Sequence, residues 1–250
     1  MAPTHLVELY PFYSTTNLEP GKSLPRNTRG RQNASSVLNM NCDNASMDKY
    51  IDCAIEGETP FLHEEDGELS LHFGFPTIQS RMLKADPDRL VLDYTRTMMG
   101  FLLFQPKPER IAMIGLGGGS LAKYCCRRLP DCDFTAIELS PDVIALRGEF
   151  NIPDDNTSFR ILCTDGADFV RNKVESHDVL LVDGFDAGGQ PSQLCSPDFY
   201  DRCYTALRQE GVLVVNLCAD DPGCSACIDR ISNTLMGKSL VVEAEEGDNK

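Results

Sequence analysis

Short apolar runs separated by more polar stretches dominate the chain from Arg110 onward. The runs are rich in Val, Ile and Leu, which is typical of parallel strands that are buried on both faces. They are RIAMIG, DFTAIE, FRILC, DVLLVD and VLVVNL, with SLVVEAEE as one further strand. The intervening spacing predicts helices at 119–129, 141–150, 166–174, 197–209 and 224–236. Such alternation predicts an α/β fold with a doubly wound, mostly parallel sheet and helices on both of its faces.

A different pattern precedes this region, between residues 50 and 83. Four short runs with strand character are separated by turn residues: IDCAIEG, PFLHEE, ELSLHFGF and TIQSRML. The pair Asp66-Gly67 is a strong hairpin signal because both residues tolerate the positive φ angles of a tight turn. We therefore expect a small antiparallel β region. Asp86-Pro87 then predicts the start of a helix over residues 88–104, which Pro106 and Pro108 end.

These patterns divide the chain into three parts. Residues 1–47 are rich in Asn, Ser, Thr and Pro, which predicts an N-terminal arm that is partly disordered. Residues 48–84 form the small β-sheet region. Residues 85–250 hold the helix and the large α/β domain.

The composition limits the classes of partner. The 38 acidic and 23 basic residues give a net charge of −15, which argues against nucleic acid or an anionic membrane and fits a cationic substrate. No apolar run approaches the roughly 18–20 residues of a membrane span. The start MAPTHLVELYPFYS lacks a basic segment followed by an apolar one, so we expect a cytoplasmic protein.

The cysteines and histidines give little indication of a metal site. The eleven cysteines have no repeating spacing, and Cys224-Ser-Ala-Cys227 is a lone CxxC pair. The four histidines have no ligand spacing either. We expect reduced thiols and no metal.

The first chemical signal is the loop IGLGGGS at residues 114–120, between a predicted strand and a predicted helix. Glycines there allow a tight turn and a close approach of the backbone to a ligand. A dinucleotide fingerprint would need Gly or Ala where Ser120 stands. Gly115, Gly117 and Gly119 instead give the spacing G-x-G-x-G, which is typical of S-adenosylmethionine sites. A tight turn without a ligand is the alternative.

Two acidic residues follow the next two strands. Glu138 ends DFTAIE, where a carboxylate can accept both ribose hydroxyls, although a solvated strand end has the same sequence. Asp165-Gly166 follows FRILC, where the carboxylate can accept from an adenine amino group or can cap the next helix. Because strand C-termini form the ligand edge of such a sheet, loop and acids together predict an adenosyl site of the S-adenosylmethionine-dependent methyltransferase type.

The fourth strand ends in a pair of carboxylates. Asp183 ends DVLLVD, and Asp186 lies three residues later in a loop that contains Gly and Pro. Two carboxylates at the mouth of an acidic pocket can bind an ammonium group, and one of them can take a proton from an attacking amine. The alternative is that both are loop aspartates without a role in chemistry.

At this point the sequence resembles the spermidine/spermine synthases, the polyamine aminopropyltransferases, over residues 60–245. The family's motifs G-G-G-D-G-G, E-I-D-x-x-V-I, G-D-G-F-x-F and D-S-S-D-P-x-G-P-A-x-x-L align with residues 115–120, 138–144, 164–169 and 183–194. Gln79 and Tyr94 also fall near a family glutamine and a family tyrosine.

The resemblance implies a set of roles. Glu138 would bind the ribose and Asp165 the adenine, and the remaining adenosyl-site residues would be Gln79, Gly115, Gly117, Gly119 and Gly166. Asp183 would be the base, Tyr94 would be a second catalytic residue, and Asp186 would hold the acceptor. The co-substrate would be decarboxylated S-adenosylmethionine, the acceptor a polyamine such as putrescine, and the assembly a homodimer or homotetramer.

Several positions depart from the family pattern. Gly118 stands where the family has the loop aspartate that grips the donor's ammonium; Ser140, Ala187 and Thr95 replace other family residues. Without the acid, we expect weak discrimination between the decarboxylated and the intact donor, and we expect Gly118→Asp to favour the decarboxylated one. The loop also resembles that of spermidine-synthase-like methyltransferases, so transfer of a methyl group stays an alternative, as does an adenosyl-binding homologue without catalysis.

Overall fold

The computed structural model describes residues 5–10, 59–73, 78–186, 189–219 and 221–244. The described residues form two sheets. The larger has seven strands in the order β10-β1-β9-β8-β5-β6-β7, and the smaller has three in the order β2-β3-β4. All six neighbouring pairs of the larger sheet are parallel. This confirms the predicted mostly parallel α/β sheet and the small antiparallel region beside it.

The element bounds follow the chain in order. The strands of the large sheet are β1 (His5–Tyr10), β5 (Arg110–Ile114), β6 (Asp133–Glu138), β7 (Phe159–Cys163), β8 (His177–Val182), β9 (Leu207–Cys218) and β10 (Ser239–Glu243). The α-helices are α1 (Asp93–Met98), α2 (Ser120–Arg128), α3 (Pro141–Ala145), α4 (Gly166–Arg171), α5 (Pro197–Ala206) and α6 (Cys224–Thr234). Three 3₁₀ turns lie at Met99–Leu103, Leu146–Gly148 and Ser192–Cys195.

The core lies on both faces of the large sheet because the central strands contain runs of buried apolar residues. All six residues of β8 are buried, and the last four alternate between two core clusters. Val179 and Leu181 face the cluster that includes the small sheet, whereas Leu180 and Val182 face the cluster under α5 and α6. Each such side chain contributes about 1.5–3 kcal/mol on burial, which holds β8 and its C-terminal end rigidly in place.

The small sheet contains the predicted hairpin. Strands β2 (Phe61–Glu65) and β3 (Glu68–His72) pair antiparallel, and β4 (Ser80–Leu83) pairs with β3. Asp66 and Gly67 form the turn with φ angles of 49° and 80°, as the hairpin signal requires. The predicted strand IDCAIEG lies outside the described residues.

The helix after the small sheet is shorter than the predicted span of residues 88–104. It begins at Asp93, passes into a 3₁₀ turn at Met99 and ends at Leu103. The side chain of Arg96 donates hydrogen bonds to the main-chain carbonyls of Leu90 and Val91, at 2.7 and 3.1 Å. In a longer helix these carbonyls would accept from main-chain N–H groups. The bonds from Arg96 hold the preceding segment in a turn, so the prediction was wrong for residues 88–92.

The N-terminal segment contributes one strand. The interpretation of residues 1–47 as an arm did not include β1, which pairs with β9 on one side and β10 on the other. The rest of that segment lies outside the described residues, and the proposed division of the chain stays a prediction. Within the described part, no helix is long and apolar enough to span a membrane.

Candidate active site

The predicted site residues lie along one edge of the large sheet. The glycine loop follows β5, Glu138 ends β6, Asp165 follows β7 by two residues, and Asp183 follows β8. Because β8, β5, β6 and β7 are neighbours and parallel, their C-terminal ends meet at the same edge. This is the edge where open α/β sheets bind their ligands.

Two glycines of the loop, Gly115 and Gly119, have no space for a side chain. Gly115 has a φ of +93°, and a Cβ there would lie 2.1 Å from the carbonyl oxygen of Asp183. Gly119 has a φ of +65°, and its Cβ would lie 2.5 Å from the side chain of Ile152. These two positions therefore need glycine for reasons of backbone conformation and space alone. Their roles toward a ligand stay predictions.

Ser80 connects the small sheet to the same loop. Its hydroxyl accepts a hydrogen bond from the main-chain N–H of Gly118 at 2.9 Å. A Cβ at Gly117 would lie 2.6 Å from the Ser80 hydroxyl oxygen. Gln79 precedes Ser80 and joins the small sheet through its own main-chain N–H, which donates to the carbonyl of Leu71 at 2.8 Å. Gln79 was predicted as a site residue from the sequence, whereas Ser80 was not.

Gly118 has no room for the acid that the family carries at this place. A Cβ there would lie 2.8 Å from the ring of Phe150 and 3.0 Å from the Cβ of Ser80. Phe150 is 1% exposed and belongs to the core. The expectation that Gly118→Asp favours the decarboxylated donor stays a prediction, and an aspartate at this position must first displace a packed aromatic ring.

Glu138 is fixed by main-chain N–H groups on both of its oxygens. Oε2 accepts from Leu116 in the glycine loop at 3.0 Å, and Oε1 accepts from Ser140 at 2.9 Å. Each carboxylate oxygen can accept more than one hydrogen bond, so these contacts orient the group and leave it able to accept from a ligand. Ser140 also caps α3 through its hydroxyl, which accepts from Val143 at 3.3 Å.

Asp165 caps α4, as one of the two sequence interpretations expected. Its Oδ1 accepts from the main-chain N–H of Ala167 at 2.6 Å and from that of Asp168 at 3.4 Å. The next residue, Gly166, lies against β5, where a Cβ would be 2.4 Å from Ile114. Capping uses Oδ1, so a role of the other oxygen toward adenine stays a prediction.

Asp183 lies at the centre of a hydrogen-bonded group. The hydroxyl of Tyr94 donates to its Oδ2 at 3.3 Å, and the amide Nδ2 of Asn216 donates to its Oδ1 at 2.9 Å. Burial raises the pKa of the Asp183 carboxyl above its ordinary value of 3.8, while the bonds from Asn216 and Tyr94 oppose the rise. A carboxylate that favours taking a proton is suited to act as a general base.

Asp183 and Tyr94 were both predicted as catalytic residues from the sequence, whereas Asn216 was not predicted. Asn216 lies in the apolar run VLVVNL near the end of β9 and is 3% exposed. A buried polar residue in an otherwise apolar strand is a signal that could have identified it.

Asp186 lies apart from this group, on the exposed loop after β8. Its main-chain N–H donates to the carbonyl of Gly189 at 2.9 Å, and the reverse bond is 3.2 Å long. This small bridge holds the ends of a turn whose residues 187–188, including Ala187, lie outside the described residues. The turn therefore places Asp186 at the surface beside the site.

Other predicted features do not join the site. Thr95 is 2% exposed, and its hydroxyl donates to the carbonyl of Leu92 at 2.5 Å, so it has a structural contact at the start of α1. Cys224 and Cys227 are both buried in α6. In the part of the chain that the structure describes, no group of three or more His, Cys, Asp or Glu residues could hold a metal ion.

Comparison with known proteins adds independent information. A model of the spermine/spermidine synthase domain family matches residues 91–220. A polyamine aminopropyltransferase from Chromobacterium violaceum is 41% identical over 189 residues, which cover 75% of this chain and 72% of the relative.

Solved structures share the fold at lower identity. A spermidine synthase in complex with the transition-state analogue AdoDATO has a TM-score of 0.53 and 20% identity, with 70% of this chain covered. This chain spans 64% of the length of that structure. Human methyltransferase-like protein 13 in complex with SAH has a TM-score of 0.50 and 20% identity, over 57% of this chain and 72% of its own. The fold therefore does not distinguish the two reactions.

Proposed function

The chain belongs to the spermine/spermidine synthase family, and we propose that its site transfers an aminopropyl group from decarboxylated S-adenosylmethionine to a polyamine such as putrescine. The observation that supports this most is the Asp183 carboxylate, held by Tyr94 and Asn216 next to the glycine loop. The family relatives are aminopropyltransferases, which supports aminopropyl transfer over the methyltransferase alternative.

Asp183 acts on the acceptor in this proposal. The acceptor's amine nitrogen forms a bond to the aminopropyl carbon, and the bond between that carbon and the sulfonium sulfur breaks. The bonding pair stays on sulfur, and methylthioadenosine leaves. Asp183 takes the proton from the attacking nitrogen, which its buried setting favours. Since the sulfonium is already a good leaving group, the protein contributes alignment and deprotonation.

Glu138 and Asp165 bind the adenosyl part of the donor. Both carboxylates are held by main-chain N–H groups, so they meet a ligand without first losing side-chain freedom. Glu138 accepts from the ribose hydroxyls, and Asp165 accepts from the adenine amino group. Gln79, Gly115, Gly117, Gly119 and Gly166 complete this part of the site.

Asp186 holds the distal ammonium of the acceptor. Its place on an exposed loop, three residues beyond the base, suits a cation that extends out of the site. The net charge of −15 adds a long-range attraction for a polyamine. A homodimer or homotetramer in the cytoplasm stays a prediction, and light scattering during gel filtration tests the oligomeric state.

The choice of donor depends on which acidic residue holds the ammonium of the aminopropyl group. The decarboxylated donor has an ammonium that some acid must hold, and Gly118 supplies none. Asp183 is the acid at the strand end that packs directly against the glycine loop. We therefore assign the aminopropyl ammonium to Asp183, and weak discrimination against intact S-adenosylmethionine follows from the missing loop acid.

The proposal is tested by product analysis with one donor at a time. Wild-type protein and Asp183→Asn are each incubated with putrescine and either donor, and the products are identified by mass spectrometry. Wild-type protein is expected to form spermidine and methylthioadenosine, and the variant is expected to form neither at a comparable rate. Methylated putrescine with S-adenosylhomocysteine would establish the methyltransferase alternative, and binding without any product would establish the non-catalytic one.

A further inference from the structure

Asn216 is a polar residue in the most apolar part of the large sheet. The last eight residues of β9, from Gly211 to Cys218, are all buried, and Asn216 is 3% exposed. Moving an amide out of water costs about 1–3 kcal/mol when its hydrogen bonds are not replaced. A Val or Leu, as at the neighbouring positions, would fit the strand without this cost. The position therefore needs a specific reason to hold an amide.

The hydrogen bonds of the amide supply that reason. Its Nδ2 donates to Oδ1 of Asp183 at 2.9 Å. Its own Oδ1 is buried and has no donor among the described residues. A purely structural amide would be satisfied at both ends, whereas this one has its recorded hydrogen bond on the carboxylate alone. The orientation is also determined, because an amide oxygen turned toward the ionised carboxylate would be repelled.

The two oxygens of Asp183 are held unequally. Oδ1 has the shorter contact, from Asn216, and Oδ2 has the longer one, 3.3 Å from the hydroxyl of Tyr94. At 2.9 Å the first is a full hydrogen bond, and the second lies beyond the common range. An amide fixed in a strand keeps its donor on Oδ1, whereas a hydroxyl can rotate about its C–O bond and turn its proton away from Oδ2.

We propose that Asn216 is a positioning residue for the transfer reaction, which holds Oδ1 of Asp183 and leaves Oδ2, beside Tyr94, as the atom that takes the proton from the amine. The inference rests on the proposed function, since it assigns Asn216 to the base of that reaction. Nothing else in β9 contacts the carboxylate through a recorded hydrogen bond, so the effect can be tested at one residue.

Few titratable groups among the described residues surround Asp183, so a change in its pKa can be attributed to Asn216. The titratable side chain that donates a hydrogen bond to Asp183 is Tyr94, from α1. The glycine loop that faces Asp183 has no charged residue at positions 115–120. Asp186 follows on the same loop and is exposed. The bond from Asn216 lowers the pKa of Asp183 against the opposing effect of burial, so loss of this donor raises that pKa.

The test compares Asn216→Leu, Asn216→Asp and Val215→Ala in the 250-residue chain. Leu keeps the approximate shape without a donor, and Asp is nearly isosteric and serves if the Leu variant does not fold. Val215 is fully buried on the same strand and belongs to the opposite core cluster, so its variant controls for lost packing. Two quantities are measured: the pKa of Asp183, from infrared bands assigned with Asp183→Asn, and the pH dependence of kcat.

We expect the pKa of Asp183 and the acid limb of kcat to rise together in both Asn216 variants, by about 1–2 pH units in Asn216→Leu. Val215→Ala should lower the melting temperature without moving either. An unchanged pKa and limb in an active Asn216 variant would overturn this proposal and leave the proposed function intact. A shifted pKa in a protein that turns over neither donor would overturn the proposed function, and with it the catalytic part of this inference.

Discussion

The carbonyl oxygen of Asp183 lies where a side chain on residue 115 would begin. A Cβ at Gly115 would be 2.1 Å from that oxygen. The main-chain N–H of Asp183 also donates to the carbonyl of Ile114 at 2.8 Å. The loop assigned to the donor and the strand end that carries the base are therefore packed as one unit, and a change in one must displace the other.

This contact predicts the effect of Gly115→Ala. The methyl group clashes with backbone, and its φ of +93° is unfavourable for any other residue, so the protein should lose about 1–3 kcal/mol of stability or more. Thermal melting and calorimetry of methylthioadenosine binding measure both effects. Gly148→Ala is the matched control, because a Cβ there meets nothing within 4 Å. Equal behaviour of the two variants would show that the loop is not rigidly packed.

Asp183→Asn should separate catalysis from binding. Loss of a general base typically lowers the rate by about 10²–10⁴-fold. Methylthioadenosine should bind nearly as before, because Asp183 faces the reacting amine rather than the nucleoside. Turnover close to that of wild-type protein, measured by mass spectrometry, would remove Asp183 from the mechanism.

The same substitution predicts a change in stability with pH. The folded state raises the pKa of Asp183 above the ordinary 3.8, so ionising this group costs the folded protein stability. The contribution of protonated Asp183 to the stability of the folded protein is fully present below the unfolded-state pKa, and it is lost as the pH rises through the folded-state pKa. Asp183→Asn should therefore melt at a higher temperature than wild-type protein at pH 7, and the difference should shrink near pH 4. A variant that melts lower at pH 7 would contradict this.

Glu138→Ala should weaken binding of the nucleoside. The ribose hydroxyls and the N–H of Leu116 lose a charged acceptor, which is worth about 1.5–3 kcal/mol, or roughly ten- to a hundredfold in affinity. Calorimetry with methylthioadenosine measures the change. Glu149→Ala, at an exposed position after the 3₁₀ turn, is the control and should bind normally. An unchanged dissociation constant in Glu138→Ala would place the nucleoside elsewhere.

Gly118→Asp should destabilise the protein through Phe150. Overpacking of this kind costs about 1–3 kcal/mol. In a Phe150→Ala background the same substitution should cost less, because the ring that it meets is gone. Chemical denaturation of the two single variants and the double variant measures this coupling. Additive effects would show that residue 118 does not face Phe150.

Regular elements were predictable from the sequence where burial imposes a strict pattern. The runs DFTAIE and FRILC match β6 and β7 residue for residue. The four inner residues of β6 are all buried, as expected of a strand covered on both faces, whereas β7 is the edge strand of the sheet and is exposed at its end. The position of the acidic residues and glycines at one edge of the sheet was also predictable from the sequence, since parallel strands bring their C-termini together.

Contacts between distant segments were not predictable in this way. Ser80 and Gly118 are 38 residues apart, and Asn216 and Asp183 are 33 apart, so no local pattern connects them. The turn before α1 depends on the hydrogen bonds that the Arg96 guanidinium donates to two main-chain carbonyls. The space for a side chain at Gly118 depends on the ring of Phe150, and the glycine motif alone does not reveal this contact.

Competition between the two donors tests the central claim most directly. Wild-type protein is given putrescine with equal concentrations of decarboxylated and intact S-adenosylmethionine, and the nucleoside products are quantified by mass spectrometry. We predict methylthioadenosine and spermidine as the products, with turnover slowed by the intact donor because the glycine loop does not exclude it. Accumulation of S-adenosylhomocysteine with a methylated acceptor, and no methylthioadenosine, would contradict aminopropyl transfer.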